Sequence, residues 1–297
     1  MLKNITRGKV SVPHFVLIYA GDGIGKSTFA SKAPAPIFLG SEDGTNNLDV
    51  ARFPAITTFA QAEQAVDELI NQQHDFKTLA VDSLDWLEPL LWKDICTTHG
   101  KPNIEEFGYG KGYVLAVQKW QGFVAKLLEL RTKKKMNIVL IAHAQVKAFH
   151  DPSQPSSYDR FQLKLNDKAA ALFREAVDTV LFATFETFVK KDGAQKARAF
   201  GEGKRVVFTE RRPAFDAKNR AGLPFEIDLS WDAFVDACNN SKPDQLKQIK
   251  QDISDLIETV TDESLKALMT KSVQDAGSDL ETLKVILNRI KVRLGGH

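Results

Sequence analysis

A short apolar run, His14 to Ala20 (HFVLIYA), stops at Gly21-Asp22-Gly23-Ile24-Gly25-Lys26-Ser27-Thr28 and gives way to a helical pattern over Ser27 to Lys32. This order restricts the fold more than any other feature, because it reads as a buried strand, a glycine-rich loop and the start of a helix. Small residues let successive backbone N–H groups curl around an anion, and the helix start adds positive potential. The loop fits the Walker A spacing, with Ala20 where glycine usually comes first.

Such a loop predicts a nucleoside triphosphate, read as ATP, cradled by Gly21 to Thr28, with Lys26 neutralising the β and γ phosphates and Ser27 offering its hydroxyl to Mg2+. Thr78-Leu79-Ala80-Val81-Asp82-Ser83 is an apolar strand ending in a carboxylate, the Walker B arrangement, which makes Asp82 the second group at the metal. Hydrolysis also needs a group that orients water. Glu42, just past the strand Pro36 to Leu39, is the candidate, with Asp43 and Asp85 as competitors. Asn137 to Ala142 delivers His143 at another strand end, with Gln145 two residues on, where a polar side chain can hydrogen-bond a γ-phosphate.

The same alternation continues: helices over Ala60 to Gln72, Leu84 to Thr98, Tyr113 to Leu130 and Asp167 to Ala176, with a strand at Asp178 to Phe185. Strands alternating with helices predict an α/β fold with a mainly parallel central sheet flanked by helices. The Pro- and Ser-containing stretch Gln145 to Asn166 reads as an irregular loop, and Arg205 to Thr209 and Phe215 to Ile227 as later strands. At 297 residues the chain has room for an appendage, and Gln245 to Val260, Glu263 to Asp275 and Leu280 to Leu294 read as three amphipathic helices. The expected organisation is a core over 1–238, a linker over 239–244 and a small C-terminal helical unit over 245–297.

Asp82-Ser83 after its strand, Glu42 after the preceding one and His143 at the next resemble the RecA recombinase core. Phe107-Gly108-Tyr109-Gly110-Lys111-Gly112-Tyr113, Ile141-Ala142-His143, and Ala217-Lys218-Asn219-Arg220 before Leu223-Pro224 resemble the phage nucleotide-binding group of RecA-like proteins, the Sak-type single-strand annealing family. The resemblance covers about residues 12 to 238. It implies a RecA-like P-loop NTPase, a homo-oligomer working on single-stranded DNA in phage recombination. It also implies a basic residue donated from the neighbouring subunit, Lys218 or Arg220, with Arg211 and Arg212 as rivals. A donated cation stabilises charge that builds on phosphate oxygens during transfer.

The formal net charge of +2 does not by itself indicate a polyanionic partner, so local patches must carry that reading. From Lys190 to Arg220 ten Lys/Arg face four acidic residues, interleaved with Phe200, Phe208 and Phe215. Cations there can pair with phosphates while the rings stack on bases, although phenylalanines beside Val206 and Val207 read more readily as core than as a stacking platform. Lys147, Phe149, His150, Arg160, Phe161 and Lys164 add a basic-aromatic mix after the His143 strand. The tail balances nine Lys/Arg against nine Asp/Glu from Lys242 onward, which points to a protein partner or self-assembly rather than DNA. No apolar run approaches a membrane span and no signal-peptide core opens the chain, so the expected location is cytoplasmic, without membrane contact. Cys96 and Cys238 stand outside any metal-ligand or disulfide spacing. Two other classes use the same loop: a P-loop kinase acting on a small acceptor, and a nucleotide-gated helicase loader or binding module.

Overall fold

The computed structural model describes residues 5, 12–40, 44–192, 196–200, 203–240 and 242–295. Its first compact unit comprises residues 1–220 and 225–234, its second residues 221–224 and 235–297.

The first unit begins with β1 (Phe15–Ala20), α1 (Lys26–Ser31), β2 (Pro36–Gly40), β3 (Ala51–Arg52), α2 (Phe59–Asn71), β4 (Thr78–Asp82), α3 (Leu84–Thr98), α4 (Lys111–Lys134) and β5 (Asn137–Phe149). It continues with β6 (Tyr158–Leu163), α5 (Asp167–Ala176), β7 (Thr179–Phe185), β8 (Phe188–Asp192), β9 (Lys196–Phe200), β10 (Arg205–Phe208), β11 (Lys218–Asn219), β12 (Glu226–Asp228) and the first four residues of α6 (Trp231–Asn239), the rest of which belongs to the second unit. The main sheet runs β12-β10-β7-β1-β5-β4-β2-β3, parallel from β7 to β3 and antiparallel at the β10 and β12 edge. The fold is therefore α/β, with a mostly parallel sheet flanked by helices.

Both faces of the sheet are covered, which is why β1 and β4 are buried at every residue instead of alternating. Phe15, Leu17 and Tyr19 of β1 face a core built with Leu69 of α2, Leu91 of α3, Leu127 of α4 and Phe173 of α5. On the other side the rings of His14, Phe29, Trp231 and Phe234 pack edge to face, so α1 and the start of α6 share one aromatic cluster. Each fully buried side chain of this size contributes about 1.5–3 kcal/mol. Before α4, a 3-10 turn at Ile104–Phe107 packs so closely that a Cβ on Gly112 would stand 2.5 Å from the Ile104 carbonyl oxygen. Only glycine fits there, which explains one member of the Phe107–Tyr113 motif physically.

The expected loop over Gln145 to Asn166 is a hairpin instead. β5 runs on to Phe149 and pairs antiparallel with β6, from Ala144↔Leu163 to Phe149↔Tyr158. Pro152 and Pro155 fall in the turn between the strands, where a missing N–H costs nothing. Arg160, buried at 2% exposure, is neutralised by Asp216 at 2.5 Å and donates to the Phe215 carbonyl at 3.0 Å. The expected strand over Phe215 to Ile227 resolves into the short β11 and β12, and α6 lies where no helix was expected.

In the second unit α7 (Lys242–Glu258), α8 (Glu263–Ala276) and α9 (Leu280–Gly295) close over Ile253, Val260, Met269, Leu283 and Ile290. Asp262 caps α8 by accepting from the Ser264 and Leu265 N–H groups at 2.9 and 3.1 Å. The expected 239–244 linker is mostly helix, since α6 reaches Asn239 and α7 starts at Lys242. No described helix is long and apolar enough to cross a membrane.

Candidate functional site

The loop after β1 turns on Gly23 and Gly25, both left-handed at φ 69° and 110°. Gly25 precedes α1 without a side-chain cap hydrogen bond, and the start of a helix turns N–H groups and positive potential toward an anion. Lys26 is 6% exposed and curls back over the loop, donating from Nζ to the Gly21 carbonyl at 3.0 Å and the Ala20 carbonyl at 3.4 Å. Ile24 is buried beneath the loop, whereas Gly21 and Asp22 face solvent. Gly23, Gly25, Lys26, Ser27, Thr28, Asp82 and His143 line an open cleft of ≈ 360 Å³, which Gly44, Asn47 and Leu48 complete from the segment after β2.

Ser27 Oγ donates to Asp82 Oδ2 at 2.6 Å, although 55 residues separate them. Register explains the meeting, because β5 lies between β1 and β4 and its pairing with both sets the ends of those two strands at one edge. Burial pushes the Asp82 carboxyl above its ordinary range, with the Ser27 hydrogen bond and the Lys26 charge opposing. A divalent cation would hold it ionised. Among the described residues no group of three or more His, Cys, Asp or Glu could ligate a metal. One hydroxyl and one carboxylate beside an open cleft form a sparse oxygen set, which fits Mg2+ because that ion keeps several waters and takes further oxygens from phosphates.

His143 lies midway along β5, at the position that registers with Ala20 at the end of β1. Its Nδ1 meets Asp85 Oδ2 at 2.8 Å and its backbone N–H donates to Asp85 Oδ1 at 2.9 Å. Nε2 then faces Asp22 Oδ1 at 3.4 Å across the cleft. The Asp85 side chain is 3% exposed. Burial alone would raise its pKa, but the two hydrogen bonds from His143 prevail and hold it low. In return the hydrogen bond to Asp85 raises the imidazole, against burial. Asp85, a competitor for the water-orienting role in the sequence, has both oxygens on His143 and does not line the cleft. Asp85→Asn is expected to cut turnover about ten-fold, the loss associated with one charged hydrogen bond. It should also move the alkaline fall in activity to lower pH, since His143 without its carboxylate loses its proton sooner. A pH–rate profile of both forms checks this, and an unmoved alkaline limb would refute the positioning role.

The other expected site residues scatter. Glu42 and Asp43 lie outside the described residues. Gln145 donates its amide to the Leu163 carbonyl within the hairpin, at 2.8 Å. Lys218 and Arg220 stand near the opposite end of the strands, because Lys218 registers with Val180, and Val180 with Leu17. Lys218 Nζ donates to the carbonyls of Arg174, Glu175 and Val177 at 2.7, 3.0 and 2.6 Å, closing the C-terminus of α5. Arg220 approaches Asp178 at 3.7 Å with 60% of its side chain exposed. Arg211 and Arg212 approach Asp216 and Glu210 at 3.7 and 3.8 Å. Phe208 and Phe215 stack on each other, and on Phe225 and Phe182 respectively, so these two rings are packing groups and not an open platform.

The family model described as an AAA domain matches residues 13–221, more than half of the chain. A search of the curated proteins found no match. The matched span runs from just before β1 to just beyond β11 and contains the glycine loop, Asp82 and His143. The chain belongs to the AAA-domain family of P-loop ATPases.

Proposed function

We propose that this chain binds and hydrolyses ATP with Mg2+, binds single-stranded DNA, and uses the cycle to promote annealing or strand exchange in phage recombination in the host cytoplasm. The observation that carries the ATPase part is the 2.6 Å contact of Ser27 with Asp82, set beside Lys26 and His143 in one cleft. Mg2+, when bound, supplies positive charge at the β and γ phosphates. Lys26 and the loop N–H groups hold the phosphates, Ser27 and Asp82 hold the metal and its waters, and His143 donates from Nε2 to the γ end. Glu42 keeps the proposed role of orienting water.

For DNA, support comes from the β8–β9 ribbon, whose register sets Lys190 opposite Arg198 and Asp192 opposite Lys196, with Lys191 between. Cationic residue types gathered on one short ribbon favour a polyanionic partner. The β5–β6 hairpin offers less, since Arg160 is buried and Lys147 approaches Asp167 at 3.0 Å. A homo-oligomer remains part of the proposal. Exposed Arg220 suits a donated cation better than Lys218, whose ammonium already serves three carbonyls. The C-terminal helices are proposed to meet a protein partner.

ATP turnover measured with and without single-stranded DNA across a salt series tests this reading. DNA-stimulated turnover and an affinity that falls with salt are expected. Charge reversal at Lys190 and Arg198 together should flatten the slope of log affinity against log salt by about 1.4, for two phosphate contacts on a single strand. Turnover indifferent to DNA at every salt concentration would refute the DNA part.

A further inference from the structure

Arg205 opens β10 opposite Phe185 of β7, two residues past Ala183, which itself registers with Ala20 where the glycine loop departs. This places the arginine at the loop's edge of the sheet. A Cβ built on Gly25 would stand 3.1 Å from a terminal guanidinium nitrogen of Arg205 and 3.6 Å from Leu229. The guanidinium leans over the Phe185 ring, 5.9 Å from its centroid, and Phe185 is 43% exposed. Among the described residues Arg205 forms no ion pair, whereas its neighbour Lys204 approaches both Glu186 and Glu226. An exposed cation held beside a phosphate-binding loop, with no described carboxylate on it, is a binding group in waiting for an anion.

Its flank says which part of the anion. Asp82 and His143 lie on the β5 and β4 side of β1, and Arg205 lies on the β7 and β10 side. A polyphosphate with its γ end at His143 runs along the loop toward Arg205 with its α end. We propose that Arg205 is a nucleotide-binding residue supplied by the same subunit, contacting the α-phosphate end of bound ATP or ADP. This rests on the cleft being the nucleotide site, and it distinguishes Arg205 from any cation donated by a neighbour to the γ end.

Calorimetric titration of the full chain with Mg2+ and either ADP or a β,γ-imido ATP analogue tests it. Arg205→Ala is expected to weaken both nucleotides about ten-fold or more, with the ratio of the two affinities kept within about two-fold. Arg205→Lys should recover part of the loss. Thermal melting of the nucleotide-free chain checks the fold, and should Arg205→Ala melt early, Arg205→Gln keeps the stem over Phe185 and carries the same expectation. Unchanged affinity for both nucleotides, or a loss confined to the ATP analogue, would overturn the assignment while leaving the nucleotide site standing. Failure of the wild-type chain to bind either nucleotide would overturn both.

Discussion

Lys26→Ala is expected to lower ATP turnover by about 10²–10³-fold or more, the loss typical of removing one preorganised charge from a developing anion. The expectation follows from where the ammonium sits. At 6% exposure it has left most of its water, and its Nζ rests on the Gly21 and Ala20 carbonyls, the walls of the loop meant to hold phosphate. A charge already stripped of solvent and aimed into a cleft needs little reorganisation when phosphate charge builds, which makes it more effective than a surface lysine. The fold should survive, because the strand beneath is held by Phe15, Leu17 and Ile18, which alanine at position 26 does not touch. The measurement is turnover together with thermal melting of the variant. Wild-type turnover, with the variant folded, would remove the glycine loop from the chemistry.

That loop was legible because its requirements are local: glycines at positive φ, a lysine and a hydroxyl within eight residues, between an apolar strand and a helix. Asp82 was legible for a similar reason, as a carboxylate ending an apolar run. The union of His143 with Asp85 was not, since 58 residues separate them and only the insertion of β5 between β1 and β4 brings them to 2.8 Å. Arg205 was hidden in a segment dense with Lys and Arg, where composition treats each cation alike. Register separates them, sending Lys218 to the far end of β7 and Arg205 to the loop. The β5–β6 hairpin was hidden by its turn. Pro152, Pro155 and three neighbouring serines suggested a loop, whereas in the structure Gln145–Phe149 and Tyr158–Gln162 alternate between more and less buried residues. The prolines misled because Pro disfavours only the positions it occupies, and both fall in the turn.

Asp82→Asn is expected to separate stability from activity, and to do so in opposite directions. Burial holds the Asp82 carboxyl above its ordinary pKa, so its ionised form is the costly one in the folded chain. A carboxyl raised in the folded state contributes stability that is fully present below its unfolded value of 3.8 and is lost as pH rises through the folded value. The amide never ionises. Without metal, the variant should therefore melt with the wild type in acid and above it once the pH has passed that window. With Mg2+ and a nonhydrolysable ATP analogue at about 100 times its dissociation constant, the wild type should gain about 2.7 kcal/mol from binding. The variant should gain less, because a neutral amide is a poorer partner than a carboxylate for a hard cation. Turnover should fall by about 10²–10³-fold. Melting curves over pH, with and without Mg2+ and nucleotide, read both effects in one series. A variant that gains as much from Mg2+ and nucleotide as the wild type, and turns over at a similar rate, would show that Asp82 is buried for packing and that the metal is held elsewhere.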